Sequence, residues 1–281
     1  MPTDSKRVPG PTETQPPFLY QKKNEKAETI LVNSDGNRHD GRKPAEMRPI
    51  FLKAGVISQA RGSAYIEQHN TKVICAVYGP HEYQRREGFS MKGKLRCEVK
   101  FATFSCRQRG SHQTDTREKE AALVIQQALE PAVCLHKFPK SQLDIFVTVL
   151  QNDGSALGAA LTCASAAVAD AGIEMYDLVI GCQMRQAGET MLLDPTVQEE
   201  YHSRLVKNAE SNHGAVTVAL LPSIDQVSAL VQKGNLESDI ALQVLKTCTE
   251  ACQRIYPVVQ QCLTKAVQSR EKTMDTSETK T

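Results

Sequence analysis

Apolar and polar positions alternate or recur with a changing period along this chain. Residues 49–55 and 63–68 are short strand candidates. Residues 71–78 form an apolar, β-branched run that closes on Gly79-Pro80, the pattern of a buried strand followed by a turn. Alternation returns over 96–104. Ala121, Val124, Ile125, Ala128 and Leu129 then follow helical spacing. Asp115 or Thr116 caps that helix, Glu118 stands in its first turn, and Pro131 ends or kinks it. Residues 143–151 are a strong strand, and Asn152-Asp153-Gly154-Ser155 a turn into a helix of small residues over 156–171, stopped by Gly172.

A second round follows. Residues 177–184 and 189–193 read as strands parted by Gly188, and 215–221 and 226–232 as two more. A long amphipathic helix runs from about 238 to 266, its apolar face built from Ile240, Val244, Cys248, Cys252, Ile255 and Val259 among others. Strands followed by helices thus occur twice, over 36–174 and 175–268. This predicts an α+β architecture of two similar halves, not a parallel βαβ sheet, although the halves share no visible sequence repeat. Residues 1–35 are rich in Pro, Gln, Glu, Thr and Lys without any period and are expected to be a disordered arm. The chain turns polar again from Lys265, and 269–281 is expected to be a disordered tail.

Composition narrows the picture. Apolar residues make up 40% of the 281 and charged residues 23%, enough core to exclude a wholly disordered chain. The net charge of +2 is too small to argue for nucleic acid, so any RNA contact must come from local clusters. No apolar run approaches a membrane span, and the first residues lack the apolar segment of a secretory signal, so no membrane partner is expected. The nine cysteines form no CxxC and several lie in apolar runs, as reduced, buried thiols of an intracellular protein do. A zinc site at Cys248 and Cys252 is the sharp alternative, weakened by the lack of a nearby His.

Short motifs then carry a resemblance. They are Arg38-His39-Asp40-Gly41-Arg42 with Met47-Arg48-Pro49-Ile50; Gly62-Ser63-Ala64-Tyr65; Thr71-Lys72-Val73; Tyr78-Gly79-Pro80; Gln151-Asn152-Asp153-Gly154; and the run from Asp170 to Asp177. In this order and spacing, over about residues 38–265, the chain resembles the RNase PH family, and within it the ring subunits of the RNA exosome. The resemblance implies the RNase PH-like fold (ribosomal protein S5 domain 2-like). Active members shorten RNA from its 3′ end with inorganic phosphate. That needs an anion pocket at a helix N-terminus, carboxylates that position a divalent metal, and a basic path for RNA.

Against that pattern the chain is degenerate. Where active relatives carry Gly-Thr-Arg or Gly-Ser-Arg before the helix, this chain has Ser155, Ala156 and Leu157. Leu157 offers neither donor nor charge, where an arginine fork would be worth roughly 1.5–3 kcal/mol per bond to phosphate. Its bland reading is a core residue of the helix. Asp194 matches the first of two acids six residues apart, and Glu200 stands at the second, one methylene too long. Residual magnesium binding by the pair is one reading, and a solvated Asp-Pro turn with an acidic helix start at Glu199-Glu200 is the other. The resemblance matches Arg117 to an arginine that binds the RNA backbone and puts Arg85 and Arg86 in a loop where active archaeal relatives place a pore-facing arginine, and Arg107 and Arg109 add charge in the following loop. Solvated loop arginines are the plain alternative, and no aromatic is seen to interleave with them.

The resemblance therefore implies a non-catalytic ring subunit without a cofactor or bound metal. Expected partners are other RNase PH-like subunits in a six-membered ring, S1/KH cap subunits, hydrolytic nucleases and single-stranded RNA. Nucleus, nucleolus and cytoplasm are the implied locations. The rivals are an active phosphate- or metal-dependent 3′→5′ exoribonuclease and a free-standing RNA-binding module.

Overall fold

The computed structural model describes residues 31–32, 36–82, 91–188, 190–200 and 213–278, with backbone alone for 271–278. The arm expected over 1–35 lies, but for Leu31 and Val32, outside the described residues, and so do Arg85 and Arg86.

The first half runs β1 (Ile50–Ala54), β2 (Gly62–Gln68), β3 (Thr71–Glu82), β4 (Lys94–Phe101), α1 (Thr116–Leu129), β5 (Ser141–Gln151) and α2 (Ala156–Asp170). The second runs β6 (Ile180–Ala187), β7 (Thr190–Leu193), β8 (His213–Leu221), β9 (Gln226–Asn235) and α3 (Ser238–Glu278). The strands form a five-stranded sheet in the order β1-β2-β3-β5-β4 and a four-stranded sheet in the order β7-β6-β8-β9. All neighbours are antiparallel except β4 and β5, which α1 connects as a parallel pair. The sheet is thus not a parallel βαβ sheet, as expected, although it contains this one parallel crossover. A strand read as ending near 104 actually stops at Phe101, and the freed loop lets α1 carry the chain back to the same edge.

α2 explains how the two halves join. It packs against β2 and β3 of the first sheet and β6 and β8 of the second. A helix covered on both sides must be apolar nearly all round, and half of its buried residues are Ala, the rest being Gly158, Leu161, Thr162, Cys163, Ser165 and Val168. Small side chains let both sheets approach closely: a Cβ on Gly181 of β6 would collide with the Gly158 carbonyl oxygen. One apolar cluster therefore spans both sheets, from Val73 and Val147 to Val218 and Val259.

α1 and α3 cover the flanks. Asp115 is the N-cap of α1, and Glu118 completes a capping box. The Glu118 carboxylate accepts from the N–H groups of Asp115 (2.9 Å) and Phe101 (2.8 Å) and from Lys100 (3.0 Å), tying the helix to β4. Cys248 and Cys252 face the core from α3 as free, buried thiols. Among the described residues no three His, Cys, Asp or Glu side chains gather as a metal site.

Two local expectations change. The turn at Gly79-Pro80 is a bulge, with Gly79 at φ 109, and pairing with β5 resumes at His81 and Glu82. The tail expected from 269 is instead helical to Glu278, and Arg270 pairs with Asp170 at 2.7 Å. No helix among the described residues is long and apolar enough to cross a membrane.

Candidate active site

The turn between β5 and α2 is the centre of the site. Gly154 (φ 88) and Ser155 (φ 54) are both left-handed. Only glycine fits at 154, because a Cβ there would run into the Pro195 carbonyl oxygen. Ser155 is the N-cap of α2, yet its hydroxyl makes no capping bond. Its backbone N–H instead donates to Glu200 Oε1 at 3.0 Å, and Gln183 Nε2 donates to the same oxygen at 3.1 Å. Burial pushes the Glu200 carboxyl up, and the Ser155 N–H, Arg185, Gln183 and Arg48 offset only part of that. Leu157 is half-buried and packs against the core.

Asp194 follows β7 in a left-handed conformation (φ 52) and is 1% exposed. Arg48 grips it as a fork, Nε to Oδ2 at 2.7 Å and Nη2 to Oδ1 at 2.5 Å, while the Arg48 backbone N–H reaches Oδ2 at 3.1 Å. The same guanidinium donates to the carbonyl oxygens of Asp153 (2.9 Å) and Gly154 (3.0 Å) and to Thr71 Oγ1 (3.2 Å). Burial pulls the Arg48 pKa down, but the Asp194 carboxylate outweighs it and leaves it raised. Arg42 lies 3.7 Å from Asp194 Oδ2. Arg38, fully buried, donates to the carbonyl oxygens of Pro44, Leu193 (2.5 Å) and Asp194 (3.4 Å) and lies 3.5 Å from Glu199.

Asp194 is thus no solvated turn residue, contrary to that reading. Three arginines of the opening motif converge on its segment and take its charge. Asp194 and Glu200 also hold different partners: the first is bonded to Arg48, the second to the Ser155 N–H at the mouth of α2. The helix start is real, since 197–200 are helical and Glu199 Oε2 accepts from the Thr196 N–H at 2.7 Å. The structural role of Arg38, Arg42 and Arg48 was missed in the sequence. Their only signal there was membership of the opening motif.

Arg117 is exposed in the first turn of α1, and Arg107 and Arg109 are exposed in the loop before it. That loop docks on the β5–α2 turn through the Asn152 N–H and the Ser105 carbonyl oxygen, 2.9 Å apart. A cavity of about 540 Å³ lies there, lined by Lys72, Phe104, Arg107, Asn152 and Val197. Phe104, 69% exposed, stands beside Arg107. The reading that no aromatic accompanies the arginines is therefore corrected; assigning 104 to a strand had hidden it.

A two-sheet α+β fold around a central small-residue helix, with an acid-bearing segment latched on the helix mouth, defines the class. Residues 46–174 match the RNase PH domain, domain 1 of the 3′ exoribonuclease family. The human exosome complex component MTR3 is 40% identical over 96% of this chain and 98% of its own length, and the mouse protein is equally similar. The exosome complex component Rrp41 of Cenarchaeum symbiosum is 33% identical over 84% of this chain and 94% of its own. The chain belongs to the RNase PH family. In structure it is similar to rice Rrp46, with a TM-score of 0.68 at 22% identity over 80% of this chain and all of that one. A chain of the Archaeoglobus fulgidus exosome with RNA bound to the active site gives a TM-score of 0.68 at 20% identity, covering 79% and 92%.

Proposed function

We propose that this chain is a non-catalytic, structural subunit of the RNA exosome ring, supporting 3′→5′ processing and degradation of RNA. The observation that carries the reading is the state of the two acids. Asp194 is neutralised by a buried arginine fork, and Glu200 is spent on a backbone N–H, so neither is presented to a metal or a reacting phosphate. Leu157 adds no charge where phosphate would need one.

Two separate apolar edges suit a ring. Phe51 and Val258 are exposed along β1 and α3, while Leu123, Val227 and Leu230 are exposed along α1 and β9, and β1 and β9 each end a sheet. A heterologous ring demands two different faces on each subunit. On this reading the neighbours are RNase PH-like subunits, with S1/KH caps and hydrolytic nucleases attached. The subunit serves ribosomal RNA maturation and mRNA decay in nucleus, nucleolus and cytoplasm. Single-stranded RNA passes near Arg85, Arg86 and Arg117.

The test is incubation of the pure chain with single-stranded RNA, phosphate and magnesium. No nucleotide release is expected. Phosphate-dependent nucleoside diphosphates would overturn the reading in favour of a phosphorolytic enzyme, and magnesium-dependent monophosphates in favour of a hydrolase.

A further inference from the structure

The segment 194–200 is drawn onto the β5–α2 turn from several sides. The Val197 N–H donates to the Asp153 carbonyl oxygen at 3.2 Å. Arg48 holds Asp194 and, with the same guanidinium, the carbonyl oxygens of Asp153 and Gly154. Gly154 and Pro195 are too close to admit even a methyl group. At the end of this segment Glu200 reaches the start of α2, where a helix leaves N–H groups without acceptors and carries partial positive charge. α2 has no side-chain cap of its own, since the Ser155 hydroxyl is not used. The Glu200 carboxylate takes the Ser155 N–H, and Gln183 from β6 donates to the same carboxylate oxygen.

We propose that Glu200 is a built-in closing group: an internal anion that occupies the mouth of α2 and keeps external oxyanions out. The inference rests on the reading of this site as degenerate and deepens it. The site is closed by two independent changes. Leu157 withholds a cation, and Glu200 fills the donor and places a negative charge beside it. An arginine restored at 157 therefore does not reopen the site while Glu200 stays. Removal of the Glu200 side chain exposes the Ser155 N–H to solvent and to any small anion. A glutamine at 200 keeps the acceptor and the bulk, and so keeps the mouth filled. The closure is also a joint in the fold, because it ties the segment after β7 to the first residue of a helix that both sheets share.

The probe is inorganic phosphate, titrated into the full chain against chloride at matched ionic strength. Melting temperature and the amide resonance of Ser155 are read together. Wild type, E200Q and L157R are expected to show no phosphate-specific response. E200A and L157R/E200A are expected to gain a saturable rise in melting temperature and a displaced Ser155 signal, with phosphate bound at least about tenfold tighter than by wild type, one charge-assisted bond being worth that much. A wild-type Ser155 signal that moves with phosphate overturns the proposal. So does a folded E200A that ignores phosphate, or an L157R that binds it as well as the double variant. If E200A fails to fold, wild type decides: the Ser155 amide signal must follow the titration of the Glu200 carboxyl, and an amide indifferent to it overturns the closure. Nucleotide release by the wild-type chain is a separate readout. It overturns the inactive-subunit reading, whereas a silent E200A in an inert chain removes the closure alone.

Discussion

Replacing Arg48 by methionine tests whether the opening motif now serves the fold. The side chain is 2% exposed and its partner Asp194 1%. The substitution keeps most of the volume but removes the fork on Asp194 and three further hydrogen bonds. The two carbonyl oxygens are not orphaned, since Gly154 still accepts from Thr71 Oγ1 at 2.8 Å and Asp153 from the Val197 N–H at 3.2 Å. The cost therefore falls on Asp194, left buried with the backbone N–H of residue 48 at 3.1 Å and, as the nearest charge, Arg42 at 3.7 Å. Breaking a buried ion pair on one side costs about 3–5 kcal/mol, and Arg42 places this case near the lower figure. For a domain of this size that lowers the melting temperature by about 6–12 °C. R48M/D194N removes the stranded charge, and asparagine tolerates the left-handed backbone at 194, so it should recover about half of the loss. The check is thermal and denaturant unfolding of wild type, both single variants and the double. A loss below about 1 kcal/mol for R48M, or a double variant no better than R48M, would refute the claim that the motif acts by neutralising Asp194.

Two further outcomes are expected. In the assembled complex, R85A/R86A/R117A should leave assembly intact and flatten the salt dependence of RNA binding by roughly 0.7 for each phosphate that an arginine no longer neutralises, whatever the RNA sequence; an unchanged slope in an intact complex removes these residues from the path. Burial alone pushes the Glu118 carboxyl up, but the N–H groups of Asp115 and Phe101 and the Lys100 ammonium outweigh it and hold it below the usual range. Its stabilisation is present above the ordinary carboxylate pKa and is lost as pH falls through the lowered one. E118Q should therefore be less stable than wild type by about 1–2 kcal/mol at neutral pH and converge with it in acid, and a gap in melting temperature that stays constant down to about pH 3 would count against the capping role.

Much of the architecture was legible along the chain because it depends on local period. Alternation in β5, the Asp115–Glu118 box and the apolar stripe of α3 each act within a few residues. The small-residue run of α2 was visible too, but not its meaning, since only packing between two sheets shows why nearly every side is small and apolar. Phe104 was lost through a boundary error of a few residues, which converted an exposed loop aromatic into a strand residue. The Asp194 reading failed for a different reason. Its partner Arg48 is 146 residues away, and no pattern near either residue shows whether a carboxylate faces water, a metal or a guanidinium.

The sequence by itself determined the order of the elements, the degenerate Ser155-Ala156-Leu157 stretch and the presence of acids at 194 and 200, because residue identity and short-range period require no third dimension. Only the tertiary structure decided what those acids do. Burial makes a bare charge costly, so the fold must supply a partner from wherever the chain passes. Here it supplies Arg48 to Asp194, and to Glu200 the N–H of Ser155 at the mouth of α2.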